Sequence, residues 1–198
     1  FIRDQPKVTG ASPFIEGPIV IETQRGERYS QIAAPFLRGI DSETSNQVSD
    51  LEKSVVAGDF ESIDGNGLLI GSALANRLSL SIGDPVAVYS MSLLREVRDV
   101  LKKDPAEQTT APLADDYVIE GIFDIGYYEY NANGMVCSLF NAQDLFSLGN
   151  EANGIHVMLD DPEAATEMRK TLLAQLGPDF VVSTWLDRNK DIFNALVV

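Results

Sequence analysis

Apolar and polar positions fall into short blocks, each bounded by glycine, proline or asparagine. Leu68-Leu69-Ile70 reads as a short buried strand, and Gly71-Ser72 after it can start a helix. Ala73, Leu74 and Leu78 then share one face of a 3.6-residue repeat. Ile82-Gly83-Asp84-Pro85 forces a turn, and Val86-Ala87-Val88-Tyr89 begins a second strand. None of these residues is a catalytic type in a catalytic arrangement, so the stretch is scaffold.

The flanking blocks extend the pattern. Ile19-Val20-Ile21 predicts a strand with an irregular approach through Pro13, Gly17 and Pro18. A turn at Arg25-Gly26-Glu27 and a returning strand over 29–39, interrupted at Pro35, complete a hairpin. Val48, Leu51 and Val55 recur at i, i+3 and i+7, which predicts a half-buried helix in the polar stretch 41–56. Met91, Leu94, Val97 and Leu101 predict an amphipathic helix ending near Lys103-Asp104-Pro105, followed by a polar tail to Pro112. A strand pair can close in two to five residues, so 90–112 is either a functional projection or a surface insertion.

Beyond it, Tyr117-Val118-Ile119-Glu120-Gly121-Ile122-Phe123 carries the strongest strand signal. A turn at Asn133-Gly134 leads into a strand over 135–139, and Asn141 can cap a short helix through Leu148. Residues 154–159 form a strand. Asp161-Pro162-Glu163 starts a helix with Ala165, Met168, Leu172 and Leu176 inward, stopped at Gly177-Pro178. Residues 180–182 are expected to form a last strand. Ser183 or Thr184 caps a final helix with Trp185, Asn189, Ile192, Phe193 and Leu196 along one side. Strands and helices without strict alternation point to α+β.

Composition narrows the partners. A formal net charge of −15 over 198 residues disfavours nucleic acid, whose phosphates need a basic surface, and disfavours lying flat on an anionic membrane. The same acidity is also a plain solubility device. The single cysteine, Cys137, excludes an internal disulfide and a Cys-rich zinc site. No run is long and apolar enough for a transmembrane helix. The abrupt start at Phe1 and the end in mid-pattern at Val198 suggest a piece cut from a longer protein.

Candidate chemistry is sparse. One histidine, His156, and one cysteine leave almost no material for a Ser-His or Cys-His nucleophile pair. Asp115-Asp116 and Asp160-Asp161 do not form an acid/base couple or a calcium loop, and Asp161 is better explained as a helix cap. The glycines around Leu68-Leu69-Ile70 lack the lysine and spacing of a nucleotide loop. Tyr127-Tyr128-Glu129-Tyr130 suits a sugar or peptide platform or, more simply, the cover of a strand end or domain seam. No catalytic, cofactor or metal residues are assigned.

Four stretches together resemble a known family. They are Leu37-Arg38-Gly39-Ile40-Asp41, the Leu69-Ile70-Gly71-Ser72-Ala73-Leu74-Ala75-Asn76-Arg77-Leu78 unit followed by Ile82-Gly83-Asp84, Gly121-Ile122-Phe123-Asp124-Ile125-Gly126-Tyr127-Tyr128-Glu129-Tyr130, and the stretch from Trp185 to Leu196. In that order they are similar to the extracytoplasmic domain of lipoprotein-releasing ABC transporter permeases of the LolC/LolE type. These have a MacB-like periplasmic core and an FtsX-like membrane part. The resemblance implies a two-lobed α+β domain, with a Porter-like lobe built from both chain ends and an inserted Sabre-like lobe. The expected division places 1–40 and 67–140 in the first, with the projection at 90–112. Residues 41–66 and 141–182 are then inserted elements, and 183–198 a helix leading to the second transmembrane segment.

The implied role is mechanical. The resemblance implies no enzyme activity here, with ATP hydrolysed by a separate cytoplasmic subunit, and a partner permease subunit alongside. It places the domain in the periplasm on an inner-membrane protein, where it helps extract a lipoprotein cargo and hand it to a soluble periplasmic carrier. The family's carrier-binding hook lies where this chain has its projection, so Met91, Leu94, Arg95, Arg98, Pro105 and Pro112 are the candidate docking residues. The interval is longer and more helical than a short proline-bearing hook. The rival reading is a MacB-like efflux or mechanotransmitting permease that binds an adaptor. A third, an independent ligand-binding module, predicts a closed polar pocket.

Overall fold

Strand β1 (Val8–Thr23) runs for sixteen residues and changes partners along its length. The computed structural model that shows this describes residues 1–24, 30–102 and 113–189. Phe14 to Pro18 of β1 lie opposite β3 (Phe36–Ile40), while Ile21 and Glu22 lie opposite the two-residue strand β2 (Ile32–Ala33). Pro35 separates β2 from β3, as expected from a residue with no N–H for the ladder. The hairpin is therefore present, and the turn expected at Arg25-Gly26-Glu27 lies outside the described residues.

The next elements are helix α1 (Ser42–Ser45), strand β4 (Val55–Gly58), strand β5 (Gly67–Gly71), helix α2 (Ser72–Leu78) and strand β6 (Pro85–Ser90). Helix α3 (Met91–Leu101), strand β7 (Asp115–Phe123), helix α4 (Tyr128–Asn133), strand β8 (Gly134–Ser138) and helix α5 (Leu139–Leu145) follow. Strand β9 (Gly154–Leu159) and helices α6 (Ala165–Leu176) and α7 (Trp185–Arg188) end the described chain. The class is mixed α+β, as the sequence pattern predicts.

The chain divides into two compact units. The larger is Ser12–His156, and the smaller joins Phe1–Ala11 to the described residues from Val157 on. In the larger unit β1 pairs antiparallel with β3, β3 parallel with β8, β8 antiparallel with β5 and β5 parallel with β7. Strand β7 pairs antiparallel with β6, and β6 antiparallel with β1. The ladder returns to its start, a closed ring of six strands, with β2 added on β1 and β4 on β7. Closure leaves these six strands with both edges paired along much of their length.

Alternation along β5 explains the apolar run that marked it in the sequence. Leu68 and Ile70 join a core with Ile19, Ile21, Leu37, Leu74, Ile119 and Met135. Leu69 points the other way, into a second cluster with Ile40, Phe60, Ile63, Phe123 and Val136. A strand buried on both faces has no polar positions to spare. Gly71 ends β5 and caps α2, and the backbone of Asn131 in α4 comes so close that a Cβ there would sit 2.3 Å from its carbonyl oxygen.

Several expectations fail for local reasons. The helix expected over 41–56 does not form. Asp41 caps only the four residues of α1, a 3-10 turn follows at Glu52–Ser54, and Val55 instead pairs with Phe123 as β4. Ser138, not Asn141, caps α5, its hydroxyl accepting from the Asn141 N–H at 3.2 Å. Residues 180–182 are not a strand. Phe180 and Val181 are exposed, and the Val182 carbonyl accepts from Arg169 Nε at 2.9 Å.

The smaller unit meets its expectations better. Asp161 caps the 3-10 turn Pro162–Ala164 that opens α6, and Leu172 is buried. Lys7 pairs with Asp161 at 3.4 Å. Thr184 and Asp187 form a capping box on α7, while Asn189 follows that helix and Ile192, Phe193 and Leu196 lie outside the described residues.

The two units group the chain differently from the expected lobes. Residues 41–66 belong with the ring, because β4 pairs with β7 and Phe60 and Ile63 pack on Leu69. The start of 141–182 belongs there as well, since Ala142 and Leu145 of α5 sit in the ring's core.

Candidate docking surface

Helix α3 grows from β6 without a loop. Ser90, the last residue of β6, lies opposite Ile19 of β1, and its hydroxyl accepts from the Leu93 N–H at 3.2 Å as the N-cap. The helix buries none of its residues. Its principal packing is on β6, the strand it leaves.

At 100° per residue the side chains sort into three arcs. Leu93, Val97 and Val100 share one face and are half-buried. Ser92, Glu96 and Asp99 form an exposed acidic face. The third arc carries Leu94, Met91 and Leu101 with Arg95, Arg98 and Lys102, and its rows run about 16 Å along the axis. Met91 is 41% and Leu101 65% exposed, and the three cations are exposed. Arg98 is paired with Asp99 at 3.0 Å, an exposed contact of adjacent residues that is worth little and is easily exchanged.

The structure therefore brings four of the six expected residues, Met91, Leu94, Arg95 and Arg98, onto one face. Pro105 and Pro112, like the polar tail, lie outside the described residues. The sequence pattern put Leu101 on the apolar stripe with Met91 and Leu94, but the expected docking residues included neither Leu101 nor Lys102. Their signal was present, since Leu101 stands seven residues after Leu94 and Lys102 seven after Arg95, both at helical spacing.

A second exposed group lies at the end of β7. Tyr127, Tyr128 and Tyr130 are 58%, 70% and 52% exposed, so they cover neither a strand end nor a seam within the larger unit. Tyr127 and Tyr130 rings stand 5.8 Å apart. The turn beneath them is fixed by Asp124, whose carboxylate accepts from Gly126 N–H at 2.9 Å, Asn131 Nδ2 at 2.6 Å and Ser72 Oγ at 3.0 Å. Those bonds, the Gly126 one first, hold the Asp124 carboxyl below the usual carboxylate range.

A cavity of about 440 Å³ is lined by Glu22, Gln24, Ser30, Tyr89 and Asp116. Ser30 donates to Glu22 at 2.6 Å, Tyr89 to Glu22 at 3.3 Å and Gln24 to Asp116 at 2.6 Å, so its groups satisfy one another. His156 stacks on Phe14 with ring centroids 4.1 Å apart. Burial pushes the Cys137 thiol up to about 12. Among the described residues no group of three or more His, Cys, Asp or Glu is placed to hold a metal, and no helix is long and apolar enough to cross a membrane.

Comparison with solved structures settles the architecture. The chain superposes on the periplasmic region of MacB from Actinobacillus actinomycetemcomitans with a TM-score of 0.57, at 12% identity, over 97% of this chain and 79% of that one. The fold is that of a MacB-type periplasmic domain. The extracellular domain of the noncanonical ABC-type transporter YknZ from Gram-positive bacteria gives a TM-score of 0.55, at 14% identity, over 89% of this chain and 80% of that one.

In sequence, the chain is similar to a protein named lipoprotein-releasing system transmembrane protein LolC from Xylella fastidiosa, 25% identical over 96% of the chain and 43% of that protein. A relative named LolE from Haemophilus influenzae is 19% identical over 94% of the chain and 42% of that protein. The chain thus spans less than half the length of these curated relatives. No family model matches it. The resemblance to the LolC/LolE type is met by the relatives' names, and the MacB-like core by the solved folds.

Proposed function

We propose that this chain is the extracytoplasmic domain of an ABC transporter permease that couples ATP-driven motion of other subunits to lipoprotein extraction from the inner membrane, and hands the cargo to a soluble periplasmic carrier. The observation that carries this reading is the likeness to LolC along nearly the whole chain, joined to a largely exposed amphipathic helix that leaves the ring at Ser90. The ring gives that helix a stiff base, and Met91, Leu94, Arg95 and Arg98 offer a partner both apolar surface and charge. ATP hydrolysis belongs to a separate subunit in this reading. The MacB-type fold favours one rival, in which the same domain binds an adaptor in an efflux or mechanotransmitting permease.

Reconstitution separates the two. The full-length permease is assembled with its partner subunit and ATPase in proteoliposomes, and transfer of a lipid-labelled lipoprotein to added carrier is followed with and without ATP. ATP-dependent transfer that is lost when residues 12–156 are excised supports the proposal. Transfer that is absent from the intact complex, or indifferent to the excision, refutes it.

A further inference from the structure

We infer that the smaller unit touches the lipid bilayer through the loop between α6 and α7, with Phe180 and Val181 entering the headgroup level and Trp185 at the interface. The inference rests on the permease reading above, which puts a membrane beside this chain, and adds the place where the chain meets it. From Gly177, where α6 stops, to Thr184, which caps α7, the backbone forms neither helix nor strand. Phe180 is 56% and Val181 96% exposed, and Trp185, the first residue of α7, is 46% exposed. This exposure is not slack. The Val182 carbonyl accepts from Arg169 Nε at 2.9 Å, and the same nitrogen lies 3.8 Å from the Asp187 carboxylate. Trp185 Nε1 donates to the Pro162 carbonyl at 3.4 Å. One side chain of α6 thus ties down the loop and the helix after it, and the apolar groups stay exposed on a held backbone.

Charge selects the surface that such a loop suits. The net charge of −15 weighs against a membrane for the chain as a whole, but it is unevenly divided. Residues 12–156 hold nine Lys and Arg against twenty-two Asp and Glu, whereas 1–11 and 157–198 hold six against eight. The smaller unit is therefore close to neutral, and Lys170 of α6 and Arg188 of α7 are exposed on the helices that flank the loop. Aromatic and aliphatic side chains with basic residues beside them are the composition of an interfacial anchor. Asp179, the one carboxylate in 177–184, limits the depth to the headgroups. A protein partner is the weaker match, since three apolar side chains fall short of the roughly 800 Å² a side that a stable interface buries. They are enough for a surface that the rest of a membrane protein already holds close.

The chain carries its own probe, because Trp185 is its single tryptophan. The MacB periplasmic region and the YknZ extracellular domain were crystallised as such, so the 198-residue chain is tested as it stands. It is tethered by an N-terminal hexahistidine tag to phosphatidylcholine vesicles that contain nickel-chelating lipid, with plain or brominated acyl chains. Trp185 emission is expected to shift to the blue and to be quenched more by bromines close to the headgroups than by deep ones. Phe180→Asp/Val181→Asp is expected to lower the quenching about tenfold or more, since two apolar burials are lost. Phe180→Leu/Val181→Leu should keep it, and Val56→Asp, at an exposed position of the larger unit, should leave it unchanged. Matching thermal unfolding of the variants confirms that they fold.

Wild-type emission that brominated lipid does not quench overturns the inference and leaves the permease reading standing. Quenching that survives Phe180→Asp/Val181→Asp, or that Val56→Asp removes as well, also overturns it. The inference fails too if Trp185 is already blue and shielded from acrylamide without vesicles, or if the aspartates abolish a self-association seen by sedimentation. The loop is then covered by the chain itself or by a second copy. Absence of lipoprotein transfer in the reconstituted complex, with quenching intact, instead overturns the permease reading and leaves the lipid contact in place.

Discussion

Gly71 stands where backbone conformation and packing make opposite demands, so its replacement by alanine tests the account of the ring's end. Its φ of −64° and ψ of 141° suit any residue. On backbone grounds alone Gly71→Ala would add about 0.4–1 kcal/mol by restricting the unfolded chain. The neighbouring helix reverses that. An alanine Cβ would lie 2.3 Å from the Asn131 carbonyl oxygen and 2.7 Å from its carbonyl carbon and Cα.

Those are backbone atoms, and they cannot easily recoil. Asn131 is buried, donates to Asp124 at 2.6 Å and accepts from the Ile125 N–H at 3.1 Å. Forcing α4 outward costs about 1–3 kcal/mol as overpacking, and loss of a permissive cap residue adds a few tenths or more. The net expectation is a loss of about 2 kcal/mol, or roughly 4–8 °C in Tm for a domain of this size. Gly65→Ala is the paired control, since no atom lies within 4 Å of its Cβ position. Thermal unfolding followed by circular dichroism reads both. A Gly71→Ala protein as stable as wild type, or a Gly65→Ala protein equally damaged, refutes the close approach as the reason for glycine.

Asp124→Asn should flatten part of the acid limb of stability. The folded carboxyl titrates below its unfolded value, so its contribution is full above the usual carboxylate range and is lost as pH falls through the folded value. The gap in Tm between wild type and Asp124→Asn, measured across that range, should close on acidification, and a constant gap counts against it. Cys137 has the opposite sign. Its raised value means a contribution fully present below the ordinary thiol range and lost as pH rises toward about 12. The native thiol should resist an aromatic disulfide reagent at pH ~8 and react only as the protein unfolds in denaturant, and rapid native labelling would contradict its burial.

Much of the ring was legible because its strands are buried on both faces or alternate cleanly. Leu68-Leu69-Ile70 and Tyr117 to Phe123 read as strands from pattern alone, and Pro35 marked its own interruption. Ring closure was not legible, since β1 meets β6 across a long interval and nothing local announces that pairing. The error at 41–56 has the same root. Val48, Leu51 and Val55 have helical spacing, but Val55 finds a better partner in Phe123, far along the chain. On the candidate face, α3 was legible from its apolar period. That Leu93, Leu94, Val97 and Val100 would be half-buried while Met91 and Leu101 stay exposed was not, because apolar spacing alone does not say which side of the helix meets the ring.

The root of α3 has a consequence for load. Pulling on the helix tugs β6 lengthwise, and β6 is held on one side by β1 from Ile19 to Thr23 and on the other by β7 from Asp115 to Val118. Tension in that direction is shared by two ladders that must slide together, instead of opening one hydrogen bond at a time from a free end. Load applied to α3 is therefore borne by the ring as a whole.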